Sequence, residues 1–82
     1  MKHPPHTRSI AQLEKQCEVW NRACPIGTEV NYHPVIGRPE YRTRKTRSFA
    51  QVLGGHTAVI WLEGESGCVA LDAVEFAGRM RL

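Results

Sequence analysis

The spacing of apolar residues changes once along the chain, and the change separates a helical part from an extended one. Over residues 9–23, Ile10, Leu13, Cys17 and Trp20, flanked by Ala23, recur every three or four positions, the period of one helix face. Glu14, Lys15, Glu18 and Arg22 fill the other side, with Glu18 and Arg22 at a favourable i,i+4 spacing. Ser9 and Gln12 form an S-x-x-Q capping box at the start. "CPIG" marks the stop, because Pro25 cannot continue a helix and Gly27 tolerates the turn that follows. The pattern predicts one amphipathic helix over residues 9–23.

Beyond residue 27 the period becomes two. "TEVNYHPV" (28–35) places Val30 and Tyr32 on one face and Asn31 and His33 on the other. "IGRPEYRTRKTRS" predicts an irregular connection that becomes a strand near Tyr41 or Thr43. "TRSFAQVL" reads as a strand ending at Gly54-Gly55, a pair suited to the positive φ angles of a tight hairpin. "HTAVIWL" is apolar on both faces, with Val59 and Trp61 on one and Ala58, Ile60 and Leu62 on the other. It is therefore expected to be central, with a barrel interior on one side and the helix on the other. "EGESG" turns the chain, "CVALDAV" reads as the last strand, and "EFAGRMRL" trails off. The expected architecture is mostly β (α+β), a small antiparallel barrel over about residues 27–76 preceded by the helix. Residues 1–8, rich in proline and histidine, are expected to form a loose arm, leaving residues 9–82 as a single domain.

From Pro25 to Phe76 the order of these segments resembles a small SH3-like barrel. In such barrels a strand beginning G-x-x-V, here "GTEVNY", leads into a long loop, two hairpins and a short 3₁₀ turn, here "LDAV". "TRSFAQVLGGHTAVIWLEGESGCVALDAVE" is also similar to short bacteriophage- and prophage-encoded proteins, which implies a bacterial or phage origin and an accessory role. Neither resemblance brings catalytic residues with it.

Composition narrows the class. At 82 residues, 41% hydrophobic and 23% charged, the chain is expected to be one small soluble domain, not a disordered one. Cys17, Cys24 and Cys68 cannot all pair within the chain and match no zinc-knuckle spacing, which suits a reducing, cytoplasmic setting. "MKHPPHTRS" lacks the apolar core of a signal peptide, and no run is long enough to span a membrane.

The net charge of +3 is modest, but its distribution is uneven. Arg38, Arg42, Arg44, Lys45 and Arg47 face a single nearby acid, Glu40, with Tyr41 and Tyr32 close by. Arginine forks grip phosphates and aromatic rings stack on bases, so this set is the candidate binding surface. Two other readings compete. Positive side chains protect a strand edge from aggregation, and Glu63, Glu65, Asp72 and Glu75 could absorb the charge by cross-strand pairing. The leading expectation is a non-enzymatic binding module that contacts nucleic acid or a nucleic-acid-handling complex. The alternatives are a module or inhibitor that binds an acidic protein, and a structural subunit that assembles through a sheet edge.

Other chemistry is set aside. A metal site from Cys17, Cys24, Cys68, His56 and His33 is not expected, since thiols two turns apart on one helix seldom converge on one ion. Ser66, His56 and Asp72 or Glu63 could be drawn as a triad, but "GESG" lacks the strand–turn–helix context of a nucleophile elbow. No cofactor and no catalytic residue is expected. Trp61 is expected to be buried, and Trp20 is the tryptophan more open to exposure.

Overall fold

The computed structural model describes residues 8–35 and 37–77. Helix α1 spans Ile10–Ala23 and starts on the expected capping box. The Gln12 amide donates to Ser9 Oγ at 3.2 Å, and the Ser9 amide donates to Gln12 Oε1 at 2.8 Å. At the other end the Cys24 amide donates to the Trp20 carbonyl at 2.7 Å, one residue before Pro25. Leu13 and Cys17, at the centre of the apolar stripe, are buried; Ile10 at its start is exposed. Of the expected N-terminal arm, residues 1–7 lie outside the described residues. Arg8 is described, and it bonds Asp72 at 2.9 Å and Gln16 at 3.1 Å. Among the described residues, no helix is long and apolar enough to cross a membrane.

Six strands follow: β1 (Glu29–Tyr32), β2 (Arg42–Lys45), β3 (Gln51–Leu53), β4 (Thr57–Trp61), β5 (Cys68–Ala70) and β6 (Val74–Phe76). They make two three-stranded antiparallel sheets, ordered β2-β1-β6 and β3-β4-β5. The expected SH3-like closed barrel is therefore not formed. One seam joins the sheets, where Thr46 bridges Leu62, the Arg47 amide donates to the Trp61 carbonyl at 2.9 Å, and the Glu63 amide to that of Lys45 at 2.8 Å. Among the described residues no ladder links β5 or β3 to β6, so the opposite side stays open. The fold is a mixed one: a helix with two open sheets.

Two expected strands are broken. In "TRSFAQVL", Thr46 opposes Leu62 while Gln51 opposes Val59, so residues 47–50 face only residues 60 and 61. The surplus forms a bulge, held by side chains rather than by a ladder. Ser48 Oγ accepts from the Trp61 amide at 3.1 Å, and the Asn21 side chain both donates to the Ala50 carbonyl and accepts from its amide. "CVALDAV" is split by a 3₁₀ turn over Leu71–Ala73. Glu75 and Phe76 thereby belong to β6, which pairs with β1 through Val30↔Phe76 and Tyr32↔Val74. β1 itself ends before Pro34, which has no amide to give a ladder.

β4 is the central strand of its sheet, as its two apolar faces predict. Cross-strand register puts Val52, Ala58, Ile60 and Val69 on one face. All four pack in the cluster that also holds Leu13, Cys17, Val30, Leu62, Leu71 and Val74. The helix thus shares the inner face of β4 instead of covering its other side. That other side carries Leu53, Val59, Trp61, Cys68 and Ala70 by register. Trp61 and Trp20 are both half-buried, so Trp61 is less enclosed than expected. The Gly54-Gly55 turn has φ of 64° and 80°, which explains the two glycines.

Candidate functional site

The basic segment divides between two tasks. Register places Arg42 and Arg44 on the same face of their sheet as Val30, Tyr32 and Val74, at its outer edge. From there both reach across to the turn between β4 and β5, and each lies 3.1 Å from Oε2 of Glu65. The Glu65 side chain is only 15% exposed, so this shared carboxylate is enclosed by its two partners. Gly64 makes room for the crossing: a Cβ there would stand 3.1 Å from Arg44 Nε. Arg47 holds the same turn through its backbone, donating from Nε to the Leu62 carbonyl at 3.0 Å and from Nη2 to that of Glu65 at 3.3 Å. Three of the five candidate cations therefore fasten the two sheets at their seam.

The rest of the segment shapes a cleft. Pro34, Val35, Arg38, Glu40, Tyr41 and Arg42 line a hollow of about 440 Å³. Val35 is 60% and Tyr41 55% exposed, an apolar pair open to solvent. Arg38 lies 3.8 Å from Glu40, both well exposed, while half-exposed Arg42 stands between this cleft and the Glu65 seam. Lys45 is exposed at the end of β2, opposite Glu29. Tyr32 shares a sheet face with Arg42 and packs against the core cluster, whereas register puts Tyr41 on the opposite face, so the two tyrosines are not neighbours on one binding surface.

His33 supports the cleft from beneath. Its Nδ1 lies 3.3 Å from the Arg38 carbonyl oxygen, its Nε2 3.3 Å from Glu75 Oε2, and its ring centroid 5.7 Å from that of Tyr41. Sequence reading singled out Arg38, Tyr41 and Arg42 in the cleft but missed Pro34, Val35 and Glu40. It also missed that His33 and Glu75 join; the one available signal was their place on the polar face of alternating strands.

The residues of the constellations set aside above lie as follows. His56 precedes β4 and Ser66 follows it, so the strand holds them roughly 20 Å apart at about 3.3 Å per residue. Asp72 is engaged by Arg8 and Gln16, each at 2.9 Å. Among the described residues no group of three His, Cys, Asp or Glu side chains is placed to hold a metal ion. Burial raises the Cys17 and Cys24 thiols above the usual cysteine range, with Glu14 adding to the effect at Cys17. A second groove of about 550 Å³ runs between α1 and the Leu71–Ala73 turn, past Val19, Trp20 and Asp72.

No protein-family model, curated protein or solved structure matches the chain. The expected phage or prophage kinship and the expected nucleic-acid-binding signature find no counterpart in any of these comparisons.

Proposed function

We propose that this chain is a non-enzymatic interaction module that holds an acidic protein segment in the cleft lined by Pro34, Val35, Arg38, Glu40, Tyr41 and Arg42. The observation that carries the reading is the exposure of Val35 and Tyr41 beside two guanidinium groups. Charge selects the occupant. Arg38 and Arg42 offer forks for a carboxylate, and the Val35–Tyr41 surface suits an aliphatic or aromatic side chain next to it. Phosphate tracking asks for a series of outward cations. Here Arg44 and Arg47 are turned onto Glu65, Leu62 and their own seam, which favours a compact acidic epitope over a nucleic-acid backbone.

Selection from a displayed random-peptide library, followed by fluorescence anisotropy on the enriched sequences, tests the reading. Enriched peptides should carry Asp or Glu beside an apolar residue. Arg38→Ala and Tyr41→Ala should each weaken their binding about 5–30-fold, as loss of a pocket anchor does. Enrichment without acids, or binding indifferent to both changes, overturns it. A DNA and an RNA oligonucleotide run in parallel decide the occupant. Steeply salt-dependent binding that needs Arg38 and Arg42 would assign the surface to nucleic acid instead.

A further inference from the structure

We propose that His33 is a proton-dependent tether that holds Arg38 to Glu75 and so sets the shape of the cleft. The inference begins with a count of donors. A neutral imidazole has one N–H and one lone pair, whereas the imidazolium has two N–H groups. Both contacts of His33 are to acceptors only: the Arg38 carbonyl at Nδ1 and the Glu75 carboxylate at Nε2, each at 3.3 Å. Neutral His33 can donate to one of them, and its other nitrogen then sets a lone pair against an oxygen lone pair. Only the protonated ring satisfies both.

The surroundings of the ring agree with this. The strand registers, continued by one residue, set His33 opposite Tyr41 on one side and Ala73 on the other, and the His33 amide donates to the Ala73 carbonyl at 2.8 Å. On that face the next row is Asn31, Thr43 and Glu75, and the row beyond it Glu29 and Lys45. Glu75 is thus the charged group against the ring, while Arg38 is itself paired with Glu40 at 3.8 Å. The side chain of His33 is 24% exposed, so a lone pair turned toward an oxygen is only partly relieved by water. Two of the cleft's lining residues are fixed by this one ring: Arg38 through its carbonyl and Tyr41 by ring contact.

The direction of the effect follows from proton linkage. The tethered arrangement holds one proton more than an arrangement with either contact released. Tethering therefore strengthens as pH falls across the range in which histidine takes up charge, about pH 8 to 5. Its consequence for ligand binding rests on the cleft being the working surface, but the tether itself can be tested without any ligand.

The experiment is an NMR pH titration of the full chain from pH 8 to pH 5, with Glu75→Gln and His33→Gln alongside. In the wild type the amide signals of Gly37, Arg38 and Tyr41 should move with the same midpoint as the His33 ring carbons. In Glu75→Gln the carboxamide N–H can donate to neutral Nε2 while Nδ1–H keeps the Arg38 carbonyl, so both contacts survive without the extra proton and the loop shifts are lost. His33→Gln should lose them too, which keeps the test decisive if either variant misfolds. Loop signals that stay fixed while wild-type His33 titrates overturn the tether, as do signals that move equally in Glu75→Gln. An enriched acidic peptide adds an independent arm. It should bind the wild type about fivefold more weakly at pH 8 than at pH 6, the loss expected for one hydrogen bond, and Glu75→Gln equally at both. Co-titration without peptide binding keeps the tether and removes the cleft reading; peptide binding without co-titration does the reverse.

Discussion

At the scale of single residues, the side chain that matters most to the architecture is one that composition hides. Thr46 is 1% exposed and is the buried polar residue of the seam. Its Oγ1 accepts from the Gly27 amide at 3.0 Å and the Thr28 amide at 3.2 Å, and its own amide donates to the Thr28 carbonyl at 2.9 Å. It also bridges Leu62, so the turn after α1, the end of β2 and the end of β4 meet on one threonine. Thr46→Val sets two effects against each other at nearly constant volume. Greater hydrophobicity at a buried site favours valine, and loss of three hydrogen bonds opposes it, the third being the longer donation from Oγ1 to the Pro25 carbonyl at 3.4 Å. The Gly27 amide keeps the Thr46 carbonyl and the Thr28 amide keeps that of Pro25, so neither is orphaned. The balance should be a loss of about 1–2 kcal/mol, or about 5–10 °C in Tm for a domain of this size. Thermal unfolding of the variant checks the sign: an unchanged or raised Tm would mean that the hydroxyl contributes nothing to the seam.

At the scale of elements, what could be read in the sequence is what neighbours in the chain determine. The capping box, the Leu13–Cys17 stripe and the Pro25 stop are all local, and α1 lies where they place it. β4 is central because its own alternation leaves no face free for water. The bulge at residues 47–50 has no such mark. Nothing in Thr46, Ser48 or Ala50 rules out a strand, and their partners Pro25, Trp61 and Asn21 stand 13–29 residues away. Barrel closure was illegible for the same reason: alternation assigns faces but does not say which edges meet. The sequence leaves the arginines either outward or paired with acids such as Glu65, because that partner lies 21 and 23 residues from Arg44 and Arg42, and the cleft was missed because nothing local marks Val35 as exposed. The clamp between Asn21 and Ala50 makes a testable case of such a distant link. Asn21 Oδ1 accepts at 2.8 Å and Nδ2 donates at 3.0 Å, fastening α1 to the chain leading into β3. Cys17 and Cys24 are buried beside it and their thiols raised, so little thiolate forms at neutral pH. Half-buried Cys68 should alkylate first in the wild type. Asn21→Ala should loosen α1 and speed alkylation of Cys17 and Cys24 about fivefold or more, as followed by mass spectrometry at pH 8. Rates equal to wild type would mean that the apolar stripe alone docks the helix.

At the scale of the whole molecule, the net charge of +3 says less than where one acid sits. Glu65 takes two arginines at once, and one of them, Arg42, also lines the cleft. The carboxylate that fastens the sheets is therefore also what offsets positive charge at the proposed site. Glu65→Gln tests this against Glu18→Gln, which removes the same charge from a pair with Arg22 on exposed α1. Both variants raise the net charge by one, so long-range attraction for an acidic peptide changes alike. A difference between them measures the local release of Arg42. Glu65→Gln should bind the peptide about 2–5-fold more tightly than Glu18→Gln at low salt, with the gap narrowing at 0.5 M salt, where charges are screened within a few ångströms. The stability cost should be about 1 kcal/mol or less, because Arg42 is half exposed and the glutamine carbonyl still accepts one guanidinium hydrogen bond. Equal affinities would show that the seam and the cleft are independent. Weaker binding in Glu65→Gln would show instead that the carboxylate aims Arg42 at the ligand, so that the fastening of the two sheets and the reading of an acidic partner depend on the same ion pair.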